Sequence, residues 1–275
     1  MFYKGVKCFY TRKNRNKLAV GPMAEVISIV SGKGGTGKTF TAANLALALQ
    51  NFGEQVVCLD TDLDSPNLAL QLGHKPEDHT IEDVLKGNIN ELKAVNVHDS
   101  GLMFVPSSLH LTDDRVSEKR IKSMVDRFSE FADRTVIDAP PGFNEGFYSS
   151  MGISDRMLVV TNPEYQAIQD VRKIAEEAEK HGVDIEGVVL NKVEGMLEEA
   201  SKEEIEKTTG LEVIQTIPHH REVSKSVHRM EPVVSDPHSK IGHSFRELAA
   251  NITDRDFRAP WYSGIVRGIR KMTRR

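Results

Sequence analysis

The stretch that decides the fold is Ser31-Gly32-Lys33-Gly34-Gly35-Thr36-Gly37-Lys38-Thr39. A β-branched run at 26–30 precedes it and is typical of a buried parallel strand. An alanine- and leucine-rich run at 42–49 follows it and predicts a helix that ends near Gly53. Strand, glycine-rich loop and helix in this order are the context of a P-loop, whereas a chance glycine-rich turn would lack them.

Each residue type in such a loop has a physical reason. Glycines let consecutive backbone amides turn inward and approach a polyphosphate without side-chain clashes. The free N–H groups and the dipole at the start of the helix favour the same anion. We therefore expect Lys38 to neutralise the β- and γ-phosphates, and the Thr39 hydroxyl to ligate Mg²⁺.

A second lysine, Lys33, stands early in the loop, where an ordinary P-loop does not need one. The run from 32 to 39 resembles the deviant Walker A motif, KGGxGK[ST], of the MinD/ParA family of ATPases. In that family the early lysine reaches the nucleotide held by the partner subunit of a dimer. The resemblance implies ATP as the cofactor, an ATP-dependent homodimer, and catalytic roles for Lys33 and Lys38. It also implies that the whole run, and Thr41 beyond it, contacts the nucleotide.

Acidic residues follow the second predicted strand, at 55–59, in the run Asp60-Thr61-Asp62-Leu63-Asp64. Ligand groups in open α/β sheets collect at such strand ends. A calcium loop is excluded because Ser65 and Gln71 stand where its glycine and glutamate belong, and a solvated acidic turn is the other alternative. The run resembles the family's switch I, which implies that Asp60 supports Mg²⁺ through water and that Asp62 orients the attacking water and accepts its proton.

Another apolar strand, predicted at 134–138, ends in Asp138 and is followed by Ala139-Pro140-Pro141-Gly142. Without the P-loop, an ordinary strand end with a proline turn would explain this pattern equally well. The segment resembles the family's Walker B aspartate and switch II. The resemblance implies that Asp138 holds a water bound to Mg²⁺ and that the Gly142 amide senses the γ-phosphate.

Further strands are predicted at 157–161, 187–190 and 211–214, with helices at 165–181 and 239–251. This alternation predicts the α/β class, with a mainly parallel sheet and helices on both faces, as in P-loop NTPases. The resemblance covers residues 24–251 and implies that Asn191 and Pro218 contact the adenine. We expect an ATPase domain at 23–252, between an N-terminal extension at 1–22 and a C-terminal segment at 253–275.

The composition excludes several classes of protein. Of the 275 residues, 39% are hydrophobic and 28% are charged, which excludes low-complexity and wholly disordered chains. No apolar run approaches the ~20 residues that cross a bilayer, and the start lacks the features of a signal peptide. Two cysteines cannot build a disulfide framework, and neither His219-His220 nor the pair His238 and His243 has zinc-site spacing. We expect a cytoplasmic protein.

Charge is distributed unevenly along the chain. Residues 1–22 and residues 258–275 each hold six basic side chains and no acid, so the other 24 basic and all 40 acidic residues give the middle a net charge of −16. For residues 1–22 we expect an unstructured basic tail or an upstream extension from a start codon assigned too early. An arm that binds membrane or nucleic acid is the alternative.

The C-terminal segment 259–275 has the pattern of an amphipathic helix. On a helical wheel its aromatic and aliphatic residues fall on one side and its basic residues on the other. At ~1.5 Å per residue the helix is too short and too basic to span a membrane, but it suits an anionic membrane surface. It resembles the short membrane-targeting helix of MinD proteins. A helix packed on the acidic body and a nucleic-acid-binding tail are the alternatives.

Together these features predict a MinD-like ATPase that binds MgATP, dimerises, attaches to the inner face of the cell membrane and is released on hydrolysis. Its role would be spatial positioning, of a division site or another assembly, and a protein activator is expected because turnover of the isolated protein should be slow. A ParA-like partition ATPase that binds DNA nonspecifically is the alternative. A metal-cluster carrier is disfavoured because its relatives need paired cysteines, and an ATP-dependent enzyme of carboxylate chemistry is disfavoured by Lys33.

Overall fold

Eight strands form one sheet in the part of the protein that the structure, a computed structural model, describes: residues 24–75, 79–108, 118–255 and 257. The strands are β1 (Glu25–Val30), β2 (Val56–Asp60), β3 (Asn96–Val97), β4 (Met103–Val105), β5 (Arg134–Asp138), β6 (Arg156–Thr161), β7 (Asp184–Val193) and β8 (Val213–Pro218). Their order across the sheet is β3-β4-β2-β5-β1-β6-β7-β8. Every pair is parallel except β3 with β4, which confirms the predicted mainly parallel sheet.

Helices connect these strands. They are α1 (Lys38–Asn51), α2 (Leu68–Gln71), α3 (Ile81–Lys86), α4 (Glu118–Phe128), α5 (Glu145–Ile153), α6 (Tyr165–His181), α7 (Lys202–Thr209), α8 (Arg221–Arg229) and α9 (Lys240–Ile252), with short 3₁₀ turns at Glu91–Ala94 and Val233–Ser235. Residues at the helix termini determine where several of these helices begin or end. Helix α6 ends before Gly182, which takes the left-handed conformation at φ 68°, and α7 begins with a capping box between Ser201 and Glu204.

The helices cover both faces of the sheet because the strand side chains alternate. In β1, Ile27 and Ile29 pack into a core shared with α1 and α9, where the rings of Phe40 and Phe245 meet edge to face at 5.5 Å. The other face of the sheet carries two further cores. One lies under α5, α6 and α7, and the other lies under α3 and α4. Buried apolar residues on both faces, at the period of two expected of a strand, confirm the predicted helix–sheet–helix layers.

The topology places the predicted acidic residues side by side. Asp60 and Asp138 end β2 and β5, and they are register partners in the sheet. The loop after β1 lies beside them, because β5 pairs with β1 as well as with β2. The carboxyl ends of neighbouring parallel strands thus form one edge at which a ligand can bind.

The predicted ends of the chain lie largely outside this description. The basic extension 1–22 and the amphipathic helix of 259–275 fall outside the described residues, and so does most of the segment 253–275. The last described helix, α9, ends at Ile252, where the ATPase domain was predicted to end. In the part of the chain with described coordinates, no helix combines the length and the apolar character needed to cross a membrane.

Candidate functional site

The glycine loop lies between β1 and α1, and its glycines differ in what surrounds them. A Cβ added at Gly34 or Gly35 would meet no atom within 4 Å, whereas one at Gly32 would lie 2.2 Å from Cβ of Asp170. Gly37 precedes α1 at φ 93°, and a Cβ there would lie 2.2 Å from Nδ2 of Asn191. The loop is therefore packed tightly at its two ends and open in the middle, where a ligand would approach the backbone.

Two side chains at the end of β7 hold the loop from outside. Nδ2 of Asn191 donates to the Thr36 carbonyl at 2.7 Å, and Nζ of Lys192 donates to the Gly35 carbonyl at 2.6 Å. These two hydrogen bonds brace the loop against the end of β7. Preorganised amides bind an anion without first reordering the backbone.

Lys38, the first residue of α1, is buried among carboxylates. Its Nζ lies 2.8 Å from Oδ1 of Asp138 and 3.8 Å from Oδ2 of Asp62, and only 6% of the side chain is exposed. Burial acts to lower the pKa of Lys38, but the charge and hydrogen bond of Asp138 outweigh it and raise the pKa above the ordinary value. The lysine therefore stays cationic at neutral pH, as the predicted role in phosphate binding requires.

Asp60 and Asp62 take different positions at the same strand end. Asp60 is fully buried, and its carboxylate accepts hydrogen bonds from the backbone amides of Asp62, Asn67 and Leu68. Burial raises the pKa of Asp60 well above its usual range, and the negative charge of Asp138 adds to the effect. Asp62 is 5% exposed and lines the cavity, and burial raises its pKa although Lys38 opposes the shift.

These groups fit a hydrated magnesium ion. The carboxyl groups of Asp138 and Asp62 lie 2.8 and 3.8 Å from the single ammonium group of Lys38, and Asp60 stands beside Asp138 in the sheet. Among the described residues, the buried Oδ2 of Asp138 has no hydrogen-bond partner, and an orphaned carboxylate oxygen can accept a hydrogen bond from a metal-bound water. Thr39, the predicted direct ligand, lines the same cavity. The metal roles of Thr39, Asp60 and Asp138 stay predictions that this arrangement can accommodate.

Lys33 lies at the mouth of the loop and is more exposed than Lys38. Its side chain is 34% exposed, and its Nζ lies 2.5 Å from Oε2 of Glu164, which is 57% exposed. The hydrogen bond from Lys33 lowers the pKa of Glu164 below its ordinary value. No motif pointed to Glu164 as the partner of Lys33, because the two residues stand 131 positions apart.

Two predicted site residues have their polar groups engaged within the protein. Thr41 is fully buried one turn into α1, and its hydroxyl donates to the Gly37 carbonyl at 2.9 Å. The amide of Gly142, predicted to sense the γ-phosphate, donates to the Ser31 carbonyl at 3.0 Å. A ligand would have to compete with these bonds, and the assigned roles of Thr41 and Gly142 stay predictions.

A cavity of about 800 Å³ runs from the glycine loop to α8, a size within the usual range for small-molecule sites. Asn191 and Pro218, the predicted adenine contacts, both line it. Sequence reasoning did not assign the lining residues of the far end to the site: His219, Val223, Ser224, Val227 and His228. Their position after β8, beside Pro218, was the available signal.

A glycine loop before a helix, a buried lysine and carboxylates at the ends of adjacent parallel strands define the class of P-loop nucleotide-binding proteins. Comparison with known proteins narrows the class. The signature of the CobQ/CobB/MinD/ParA nucleotide binding domain matches residues 27–233, and the chain belongs to this family. The predicted MinD/ParA membership is thereby confirmed.

Relatives within the family share most of the chain. The septum site-determining protein MinD of Thermotoga maritima is 32% identical over 239 residues, which are 84% of this chain and 88% of that protein. The solved structure of the cell division ATPase MinD of Pyrococcus furiosus superposes with a TM-score of 0.78 at 31% identity, over 84% of this chain and 99% of that one. MinD of Pyrococcus horikoshii, solved as a complex with Mg-ADP, gives 0.77 at 29%, over 84% and 96%. That complex agrees with the expected adenine nucleotide and Mg²⁺.

Proposed function

We propose that this protein is a MinD-like ATPase that binds MgATP, dimerises on ATP and hydrolyses it to ADP and phosphate. The observation that carries the proposal is the position of Lys38. Its ammonium group lies between Asp138 and Asp62, at the start of the helix that follows the open glycine loop. Lysine, helix dipole and loop amides all favour the polyphosphate of a nucleotide.

Each residue of the candidate site has its own role in the reaction. Lys38 neutralises charge on the transferred phosphoryl group, and Asp62 holds the attacking water by a hydrogen bond. Thr39, Asp60 and Asp138 hold Mg²⁺, directly or through water. When bound, Mg²⁺ stabilises charge on the phosphate oxygens. Asn191, beside the glycine loop, and Pro218, toward α8, contact the base.

Lys33 supports the dimeric form of this proposal. It does not line the cavity with Lys38 but projects at its mouth, held by an exposed ion pair. An exposed pair of this kind contributes about 0–1 kcal/mol, so little free energy is needed to release the lysine. Once released, it can reach the phosphates held by a second copy.

The test measures oligomeric state and turnover in the same variants. Light scattering after size exclusion should give the mass of a monomer without nucleotide and of a dimer with MgATP for Asp62→Ala, which traps the ATP-bound state. Asp64→Ala, an exposed acid in the same loop, is the matched control and should turn over like the wild type. Hydrolysis by Asp62→Ala at the wild-type rate would refute its role, and a monomer with MgATP would refute the dimer.

We propose further that residues 259–275 attach the dimer to the inner face of the cell membrane, because paired amphipathic helices raise the effective concentration at the lipid surface. Release would follow hydrolysis, stimulated by a protein activator, and the output would be spatial positioning of a division site or another assembly. Deletion of 259–275 should abolish pelleting with anionic liposomes and leave basal ATPase intact. Pelleting with DNA instead of liposomes would favour the ParA-like alternative.

A further inference from the structure

Both basic ends of the chain are joined to the domain at the same edge of the sheet. β1 begins at Glu25, shortly after the segment 1–22, and the Glu25 amide donates to the Asp133 carbonyl at 3.1 Å. The amide of Asp133 donates in turn to the Gln55 carbonyl at 2.8 Å. These two bonds connect the amino ends of β1, β5 and β2. The N-terminal segment therefore meets the domain at the edge opposite to the glycine loop.

The C-terminal segment starts close to this edge, where α1 and α9 end. The guanidinium group of Arg255 donates to the carbonyl of Phe52, the residue that follows α1. The ring of Phe257 lies 6.0 Å from the ring of Phe52 and 6.3 Å from that of His243 in α9. Because Phe52 stands in the short turn between α1 and the start of β2, the basic run 258–275 begins near the amino ends of the strands.

The described residues around the start of β1 carry more acid than base. Arg134 forms ion pairs with Glu25 and Glu54. Arg156 forms ion pairs with Glu25 and Glu186. Two arginines thus serve three glutamates, and 24 basic and 40 acidic residues give the whole middle of the chain a net charge of −16. An anionic surface would repel this edge, so the attraction has to come from the terminal segments.

The N-terminal segment has a composition that suits the surface of an anionic membrane. It contains no acid, and its basic and aromatic residues alternate in short groups: Phe2, Tyr3, Lys4, Lys7, Phe9, Tyr10, Arg12, Lys13, Arg15 and Lys17. Basic side chains are attracted to anionic headgroups, and aromatic rings favour the headgroup level. Nucleic acid would attract the same charges, but it offers no place for the apolar face of the segment 259–275, which starts near the same edge.

We propose that residues 1–22 are a second membrane-binding element, which acts together with residues 259–275 on one anionic lipid surface. This inference rests on the proposed membrane attachment through 259–275. A polybasic segment strengthens a weak apolar anchor, and a contact tethered to another gains effective concentration. Since the segment joins the domain away from the glycine loop, it acts on lipid affinity and not on ATP hydrolysis.

The test measures how the full-length protein with MgATP partitions between buffer and vesicles. One set of vesicles contains phosphatidylglycerol and phosphatidylcholine in equal parts, and the other contains phosphatidylcholine alone. The intact mass of the protein from its own cells should include residues 1–22. A mass that lacks them would overturn the proposal.

The variant Lys13→Gln/Arg15→Gln/Lys17→Gln removes the three charges that stand nearest to β1 in the sequence. Its affinity for the anionic vesicles should fall at least about tenfold, because each basic side chain near such a surface adds to the attraction. The difference from the wild type should shrink at high salt, which screens the interaction. The rate of ATP hydrolysis in solution should stay at the wild-type value.

The matched control removes three charges from the other edge of the sheet. Arg221→Gln/Lys225→Gln/Arg229→Gln neutralises exposed residues of α8, the helix beside the cavity, and gives the same net charge as the N-terminal variant. Its affinity for the anionic vesicles should stay within about twofold of the wild type, because charges far from the lipid are screened.

The outcomes distinguish the two proposals. If the N-terminal variant binds anionic vesicles like the wild type, or if both variants lose affinity equally, the role of 1–22 is refuted and attachment through 259–275 stands. Loss of pelleting with DNA alone in the N-terminal variant would assign the segment to nucleic acid instead. If the wild type pellets with neither kind of vesicle, the proposed attachment fails together with this inference. A selective loss on anionic vesicles would establish the second element.

Discussion

The two lysines of the glycine loop stand five residues apart and occupy opposite environments. Lys38 is 6% exposed and is paired with the fully buried Asp138, whereas Lys33 is 34% exposed and is paired with Glu164, itself 57% exposed. A buried ion pair that loses one partner leaves an uncompensated charge, which typically costs 3–5 kcal/mol. An exposed pair contributes about 0–1 kcal/mol. The ammonium group of Lys38 is thus fixed, whereas that of Lys33 can leave its partner with little loss of stability.

This difference divides the loop by function. The buried end is built to keep one geometry, because its lysine, its carboxylates and the β7 residues that brace it are all engaged within the protein. The exposed end can exchange partners with little loss of stability. A lysine that serves a second subunit must be able to leave its partner within its own subunit. Substitutions near Lys38 and near Lys33 should therefore differ in the size and the nature of their effects.

The largest effect is expected for Lys38→Ala. Loss of its ammonium group leaves Asp138 and Asp60 buried without a cation, so the free energy of unfolding should fall by about 3 kcal/mol. Affinity for Mg-ADP should fall at least about tenfold, because a charged hydrogen bond to phosphate is lost. Urea unfolding and nucleotide displacement measure the two quantities. Lys33→Ala is the matched control, and equal losses in both variants would contradict the comparison.

A smaller effect is expected within the loop backbone. Gly37→Ala forces a Cβ to within 2.2 Å of Asn191 at a φ of 93°, and both the left-handed backbone and the clash destabilise the fold, by about 2 kcal/mol or more. Gly34→Ala meets no atom within 4 Å and should change stability by less than about 0.5 kcal/mol. Urea unfolding without nucleotide checks both, and similar values would mean that the loop relaxes freely.

Sequence reasoning succeeded where the pattern is long or local. The helix α6 and the strand β5 were predicted with the bounds that the structure gives, because seventeen residues of helical periodicity and a compact apolar run leave few alternatives. Strands β3 and β4 had no predicted counterpart. They span two and three residues, too few to set a period, and only the pairing of β4 with β2 and of β3 with β4 makes them strands.

At the candidate site, too, contacts between recognisable motifs were predicted and other contacts were not. Lys38, Asp62 and Asp138 were predicted to act together, because their segments resemble the family's Walker A, switch I and Walker B motifs and each follows a predicted strand of a parallel sheet. Glu164 and the pair of His219 with Glu194 were not, because those contacts join segments with no shared motif. The sequence offered a carboxylate or a histidine at each position but could not specify which surface partner it would face.

The smallest effect, and the sharpest check of the exposed end, concerns the pKa of Glu164. The hydrogen bond from Lys33 holds that pKa below its ordinary value, so the pair stabilises the fold above the ordinary glutamate range near pH ~4.3. Its contribution is lost as the pH falls through the lowered pKa. In Lys33→Ala the pKa of Glu164 should rise toward its ordinary value, measured by carboxyl NMR titration without nucleotide.

Lys192→Ala is the control. The charge of Lys192 also favours the ionised form of Glu164, but its ammonium group donates to the Gly35 carbonyl. Removing Lys192 should therefore change the pKa of Glu164 less than removing Lys33. If Glu164 titrates alike in wild type and Lys33→Ala, Lys33 is not held at the mouth of the loop, and the contrast with Lys38 would lose its physical basis.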